Sequence, residues 1–197
     1  MNQSMSPRQL LLIAAACGAA ALVQGCAPAV VVGAGAGAVV VHDRRSLGSM
    51  VDDAAVELKA KGMLSTDPLL KDQANIKLTS VNGIVLLSGE TATAELRDHV
   101  VATVREIRGI RRITNEIRIA PPSSLGARAK DTWITGEVKA RFVGARGLDP
   151  TRVKVVTEAA NVYLMGLVTQ REGEIATDAA TQVRGVERVV KLFEYLD

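Results

Sequence analysis

From residue 50 onward, apolar positions follow two alternating periods, and the whole series occurs twice. Ala54, Leu58 and Met63 are spaced for one face of a helix within residues 50–64. Residues 74–81 (ANIKLTSV) switch to period two, with Ile76 and Leu78 on one side of a strand. Asn82-Gly83 then predicts a two-residue hairpin turn, because both positions tolerate positive φ. Ile84 to Gly89 forms the returning strand. Leu96, Val100, Val101 and Val104 mark the buried stripe of a second helix over residues 93–108, ended by Gly109. Residues 110–119 complete the unit as a strand. The second pass predicts a helix over 131–143, strands over 152–158 and 161–168, a helix over 170–184 and a strand over 186–195.

The two passes are copies. Glu57-Leu58-Lys59-Ala60-Lys61 matches Glu137-Val138-Lys139-Ala140-Arg141 at an offset of 80. Ile76-Lys77-Leu78 matches Val153-Lys154-Val155 at 77, and Arg108-Gly109-Ile110 matches Arg184-Gly185-Val186 at 76. The drift places the length changes in loops. Residues 49–119 form the first domain, 120–127 (APPSSLGA) a semi-rigid spacer and 128–197 the second domain. Each domain is expected to be α+β, an αββαβ unit whose three-stranded mixed sheet is packed by two helices. Units this small gain from mutual packing, which the pattern itself does not reveal.

Residues 1–25 read as an export signal, with Arg8 before a 14-residue apolar stretch, Leu10 to Val23. That stretch is short for a membrane span, which needs roughly 20 apolar residues. Val23-Gln24-Gly25-Cys26 follows, a small residue before a cysteine that resembles a bacterial lipobox. Cys26 is then the acylated N-terminus, and the only other cysteine, Cys17, leaves with the signal. No thiol remains for a disulfide or a metal. Residues 26–48 form a Gly/Ala/Val-rich tether. Its Gly33, Gly35 and Gly37 lack the spacing and the strand–helix setting of a nucleotide loop. Ala27, rather than Asp, follows the cysteine, which by likeness to Gram-negative lipoprotein sorting points to the outer membrane and its periplasmic face.

Composition narrows the chemistry. A net charge of +3 and 3% aromatic residues give neither the basic field nor the stacking platform of a nucleic-acid binder. His42 lies in the tether and His99 beside Asp98 on a helix surface, and no nucleophile or metal-ligand motif occurs. No catalytic, cofactor or metal site is expected. Arg105, Arg108, Arg111 and Arg112 read as a solvated cluster at a helix C-terminus.

The residues now carry a resemblance. An αββαβ unit with Gly89 or Gly166 at the exit of its second strand resembles the BON domain. A lipobox followed by two such units is similar to the dual-BON outer-membrane lipoproteins of Gram-negative bacteria. Arg45-Ser46-Leu47-Gly48, Asp131-Thr132-Trp133-Ile134-Thr135 and Met165-Gly166-Leu167-Val168-Thr169-Gln170-Arg171-Glu172 carry it further. The resemblance implies binding of anionic phospholipid, phosphatidylglycerol above all, through the first helix of the second copy. It also implies support of outer-membrane integrity and localisation to division sites.

Trp133, the one tryptophan of the chain, tests that implication. At an offset of 80 it corresponds to Asp53, Ile134 to Ala54 and Val138 to Leu58, so Ile134, Val138 and Phe142 take the core face. A position that carries Asp in one copy is read as solvent-facing. Trp133, Gly136, Lys139, Ala140 and Val143 then line one side of the helix, with Arg128, Lys130 and Arg141 as basic neighbours. Trp favours the headgroup region of a bilayer, and cations there favour anionic lipid. Covering the edge of the second core, or filling a seam between the copies, are the alternative roles for Trp133. The alternative function is that of an envelope scaffold, in which the same helix or an exposed sheet edge binds another envelope protein such as the outer-membrane assembly machinery. Asp131 is expected to cap the helix start.

Overall fold

The computed structural model describes residues 44–196. Cys26, the signal, the tether glycines and His42 lie outside the described residues. The first copy runs α1 (Leu47–Thr66), β1 (Ala74–Val81), β2 (Ile84–Thr91), α2 (Ala94–Arg105) and β3 (Arg112–Ile119). The second runs α3 (Leu125–Gly144), a 3-10 turn (Pro150–Arg152), β4 (Lys154–Glu158), β5 (Asn161–Val168), α4 (Gln170–Thr181) and β6 (Arg188–Tyr195). In each copy the middle strand pairs antiparallel with the first and parallel with the last, giving the mixed three-stranded sheet expected from the pattern.

Each described α-helix starts on a hydroxyl that takes an otherwise unpaired backbone N–H. Ser46, Thr93, Ser124 and Thr169 accept from Ser49, Leu96, Ala127 and Glu172. The Ser124 cap corrects one expectation. α3 begins at Leu125, inside the stretch read as spacer, and Asp131 lies within the helix rather than at its start. What remains of the spacer is tied down. The buried Glu90 accepts hydrogen bonds from Ser123 and, at 2.7 Å, from Arg118.

Asp131 has a different task. It is buried, and its two carboxylate oxygens accept the backbone N–H groups of Ala159 and Ala160 at 2.9 and 2.8 Å. These two residues form the β4–β5 turn at φ 49° and 61°, a left-handed pair built from alanine. Asp53 does the same in the first copy. It accepts from Asn82 N–H at 2.7 Å, Gly83 N–H at 2.9 Å and the Ser80 hydroxyl at 2.6 Å, and Arg45 lies 3.2 Å away. Asp53 therefore corresponds to Asp131, not to Trp133, and the helices align at an offset of 78. Val56, Ala60 and Leu64 then match Ile134, Val138 and Phe142 on the core face. The predicted stripe through Ala54 and Leu58 is overturned, since both are exposed, Leu58 by 73%. The reading of Asp53 as solvent-facing falls with it.

Side chains on each sheet divide by parity. Val85, Leu87 and Ile117 face α1 and α2, while Val162, Leu164 and Phe193 face α3 and α4. The opposite faces meet each other, and Val81, Ile84 and Leu86 pack with Tyr163, Met165 and Leu192. The described chain is thus layered helices, sheet, sheet, helices. Ion pairs cross between the copies. Lys77 reaches Glu158 at 2.9 Å and its counterpart Lys154 reaches Glu57 at 3.3 Å. Arg188 bonds Glu116 at 2.6 Å beside the Tyr163 hydroxyl. Burial and the Glu116 charge push that phenol up to about 12. Arg111, read as part of a solvated cluster, makes two 3.0 Å bonds to Glu194.

Glu172 closes a capping box with Thr169 and also binds Arg152 at 2.6 Å and Arg44 at 2.7 Å. Burial pushes its carboxyl up, but the Thr169 N–H and the two guanidiniums outweigh burial and hold it at about 2. A carboxylate so depressed stabilises the fold above its ordinary value of 4.5 and loses that contribution as pH falls toward 2. Glu172→Gln is expected to cost about 2 kcal/mol at neutral pH, with the difference from wild type closing over that acid window in urea titrations. Asp131→Ala strands two buried N–H groups and is expected to cost about 3 kcal/mol by the same measurement. Replacing Ala159-Ala160 with Asn-Gly, the pair found in the first copy, relieves left-handed alanine and should stabilise by about 1 kcal/mol, read as a raised melting temperature.

Candidate functional site

α3 carries two opposed faces. Asp131, Ile134, Val138 and Phe142 recur every three or four residues and are buried. Leu125, Ala129, Trp133, Gly136, Ala140 and Val143 recur at the same spacing on the other side, and all are exposed. Leu125 is 83% exposed, Trp133 50% and Val143 77%, so this is a continuous apolar stripe open to solvent along the helix. The tryptophan's exposure agrees with the sequence reading, although the aligned residue that suggested it was the wrong one. At α3 the exposed stripe excludes Trp133 from both the second core and the seam between the sheets.

The cations flank the stripe. Arg128 and Lys139 lie one way round the helix from Trp133 and Lys130 and Arg141 the other way, all exposed. Among the described residues, Arg141 bonds Gln182 Oε1 at 3.3 Å, and none of the four has an ion pair. Glu137 is the acidic residue on this surface. No atom lies within 4 Å of where a Cβ would stand at Gly136, so the helix backbone itself is open there.

Lys139 and Val143 also border a hollow of about 400 Å³ between α3, the 3-10 turn and the end of β1. Its wall combines Val81, Val153 and Met165 with Arg45, Arg152 and Lys154. These three cations were missed in the sequence. They come from two separate stretches of chain, Arg45 from one and Arg152 and Lys154 from the other, and folding brings them to one place. Arg45 pairs with Asp53, Arg152 with Glu172 and Lys154 with Glu57, so their orientation is set by carboxylates of the fold. The arrangement can hold an amphiphile, with apolar groups along the stripe and an anion beside it.

No cluster of His, Cys, Asp or Glu able to hold a metal occurs among the described residues, and no described helix is long and apolar enough to cross a membrane. His99 is not merely a surface residue. Its Nε2 lies 2.6 Å from Asp67, and that bond lowers the Asp67 carboxyl below its ordinary value.

Comparison with known proteins agrees with this architecture. The BON domain model matches residues 52–121 and again 130–197. The chain is 35% identical over 195 residues to the outer membrane lipoprotein DolP of Haemophilus influenzae, covering 98% of this chain and all of that one. It is 34% identical over 154 residues to a 21 kDa hemolysin of Actinobacillus pleuropneumoniae, covering 78% and 79% of the two chains. It is 28% identical over 162 residues to the osmotically inducible protein Y of Escherichia coli, covering 78% of each. With two matched units spanning most of its length, each folded as αββαβ, the chain belongs to the BON domain family.

Proposed function

We propose that this protein is an outer-membrane lipoprotein, anchored through acyl chains on Cys26 and facing the periplasm, that docks α3 onto anionic phospholipid. The observation that carries the proposal is Trp133, half exposed in the middle of an apolar stripe with cations on both sides. Trp, Val143 and Leu125 suit the interfacial layer of a bilayer, where an amphipathic helix lies in the plane of the surface. Arg128, Lys130, Lys139 and Arg141 sit where headgroup phosphates would meet them, each contributing roughly 1 kcal/mol. Gly136 and Ala140 let the backbone approach closely. The likeness to an outer membrane lipoprotein along 98% of the chain supports the location. By the same family resemblance, the protein supports envelope integrity at division sites.

Anchor and helix act together. An acyl chain confines the domains near the surface, so a weak contact by α3 suffices for docking. The assignment is to binding, and no group of α3 is given a catalytic part.

Trp133 reports on its own surroundings. Vesicles of phosphatidylglycerol are expected to shift its emission to the blue, and phosphatidylcholine vesicles to leave it unchanged. Trp133→Glu should weaken vesicle binding by tenfold or more, roughly the effect of replacing an interfacial anchor with a charge, while the circular dichroism stays native. Emission indifferent to both lipids would exclude the proposal.

A further inference from the structure

β1 is the edge strand of the first sheet, and part of its outer edge is open. Its Ala74 N–H leaves the β2 side to bond Leu70 O at 3.1 Å, and its Ser80 N–H bonds Glu57 at 2.8 Å. Ile76 and Leu78 lie between these two at period two, so their N–H and C=O groups point the same way. They have no partner among the described residues. The two open rungs border a groove of about 770 Å³ between β1 and α1. Leu58, Leu64, Leu70, Ile76 and Leu78 make it apolar. At its rim Lys77 is paired with Glu158 and Glu57 with Lys154, which leaves Lys61 and Lys71 against Asp72.

The second copy narrows the same place to the hollow of about 400 Å³ that Lys139, Val153, Lys154 and Val155 line. β4 has five residues where β1 has eight, and the 3-10 turn replaces the start of the strand. Phe142 fills the position of Leu64, and Thr135 bonds Thr157 across the gap at 2.7 Å. An open, long edge beside apolar surface is a hazard that proteins ordinarily shorten or cover. Here the second copy shortens it, and the first leaves it at eight residues.

We propose that the α1–β1 groove is a peptide-binding site that takes an extended acidic segment as a fourth strand. The open rungs at Ile76 and Leu78 select a backbone over an acyl chain, because a lipid tail can satisfy neither N–H nor C=O. The groove takes every second side chain of the added strand as an apolar residue. Lys61 and Lys71 favour carboxylates on the side chains that point outward. The site is separate from α3 and independent of the lipid proposal.

The test uses the full chain and a fluorescent peptide matched to the eight residues of β1, with valine alternating with glutamate or threonine. Polarisation should report saturable binding, and hydrogen exchange should slow at the Ile76 and Leu78 amides by about tenfold or more. Leu58→Glu and Lys61→Glu alter exposed positions of α1 and should each weaken binding about tenfold with native circular dichroism. N-methylation of the peptide amides along one edge should abolish binding, and along the other edge leave it intact. No binding, equal binding of the two methylated peptides, or displacement by lysophosphatidylglycerol without any change at Ile76 and Leu78 would overturn the proposal.

Discussion

A carboxylate buried under each hairpin is the constraint on which both copies depend. The two-residue turns of this chain are left-handed at both positions, and their N–H groups have no strand to receive them. Asp53 and Asp131 receive them from the first helix of each copy. One side chain thereby satisfies the turn, sets the register of the first two strands and fixes how the helix lies on them. In the second copy the clamp holds alanine at φ 49° and 61°, a conformation that a side-chain-bearing residue leaves unless the surroundings insist. With the hairpin held, alternate residues of the middle strand are committed, one set to the helices and the other to the facing sheet.

The element order was legible because the period of apolar residues changes at each boundary, and because Asn82-Gly83 has few other uses. The alignment of the copies was less legible. ELKAK and EVKAR look like equivalent stretches, yet burial pairs Asp53 with Asp131 and Ala60 with Val138. Glu, Lys and Ala are the ordinary residues of exposed helix surface, so two helices can share three of them out of phase. The core positions, Val56 against Ile134 and Leu64 against Phe142, keep size and polarity without identity and left a fainter trace. The start of α3 was misplaced for a related reason. Ser124 and Asp131 are both good caps, and only the tertiary demand of the Ala159-Ala160 turn draws Asp131 away.

The face of α3 was legible in part. An unpaired Trp among cations stands out against a chain poor in aromatic residues, whatever residue it is compared with. The hollow at its end was hidden, because Arg45 is distant in sequence from Arg152 and Lys154 and each looks like an ordinary surface base. The seam between the copies was hidden as well. Ile84, Leu86, Tyr163 and Met165 sit in strands apolar on both faces, which marks burial without saying against what.

The layering gives the molecule two sides. Because the sheets meet back to back, the helices of one copy look away from the helices of the other. Copy one's helical layer is turned away from the exposed face of α3 and keeps its own access to solvent. The duplication therefore yields two outward helical layers, whose surface chemistry can diverge while they share one spine of paired sheets.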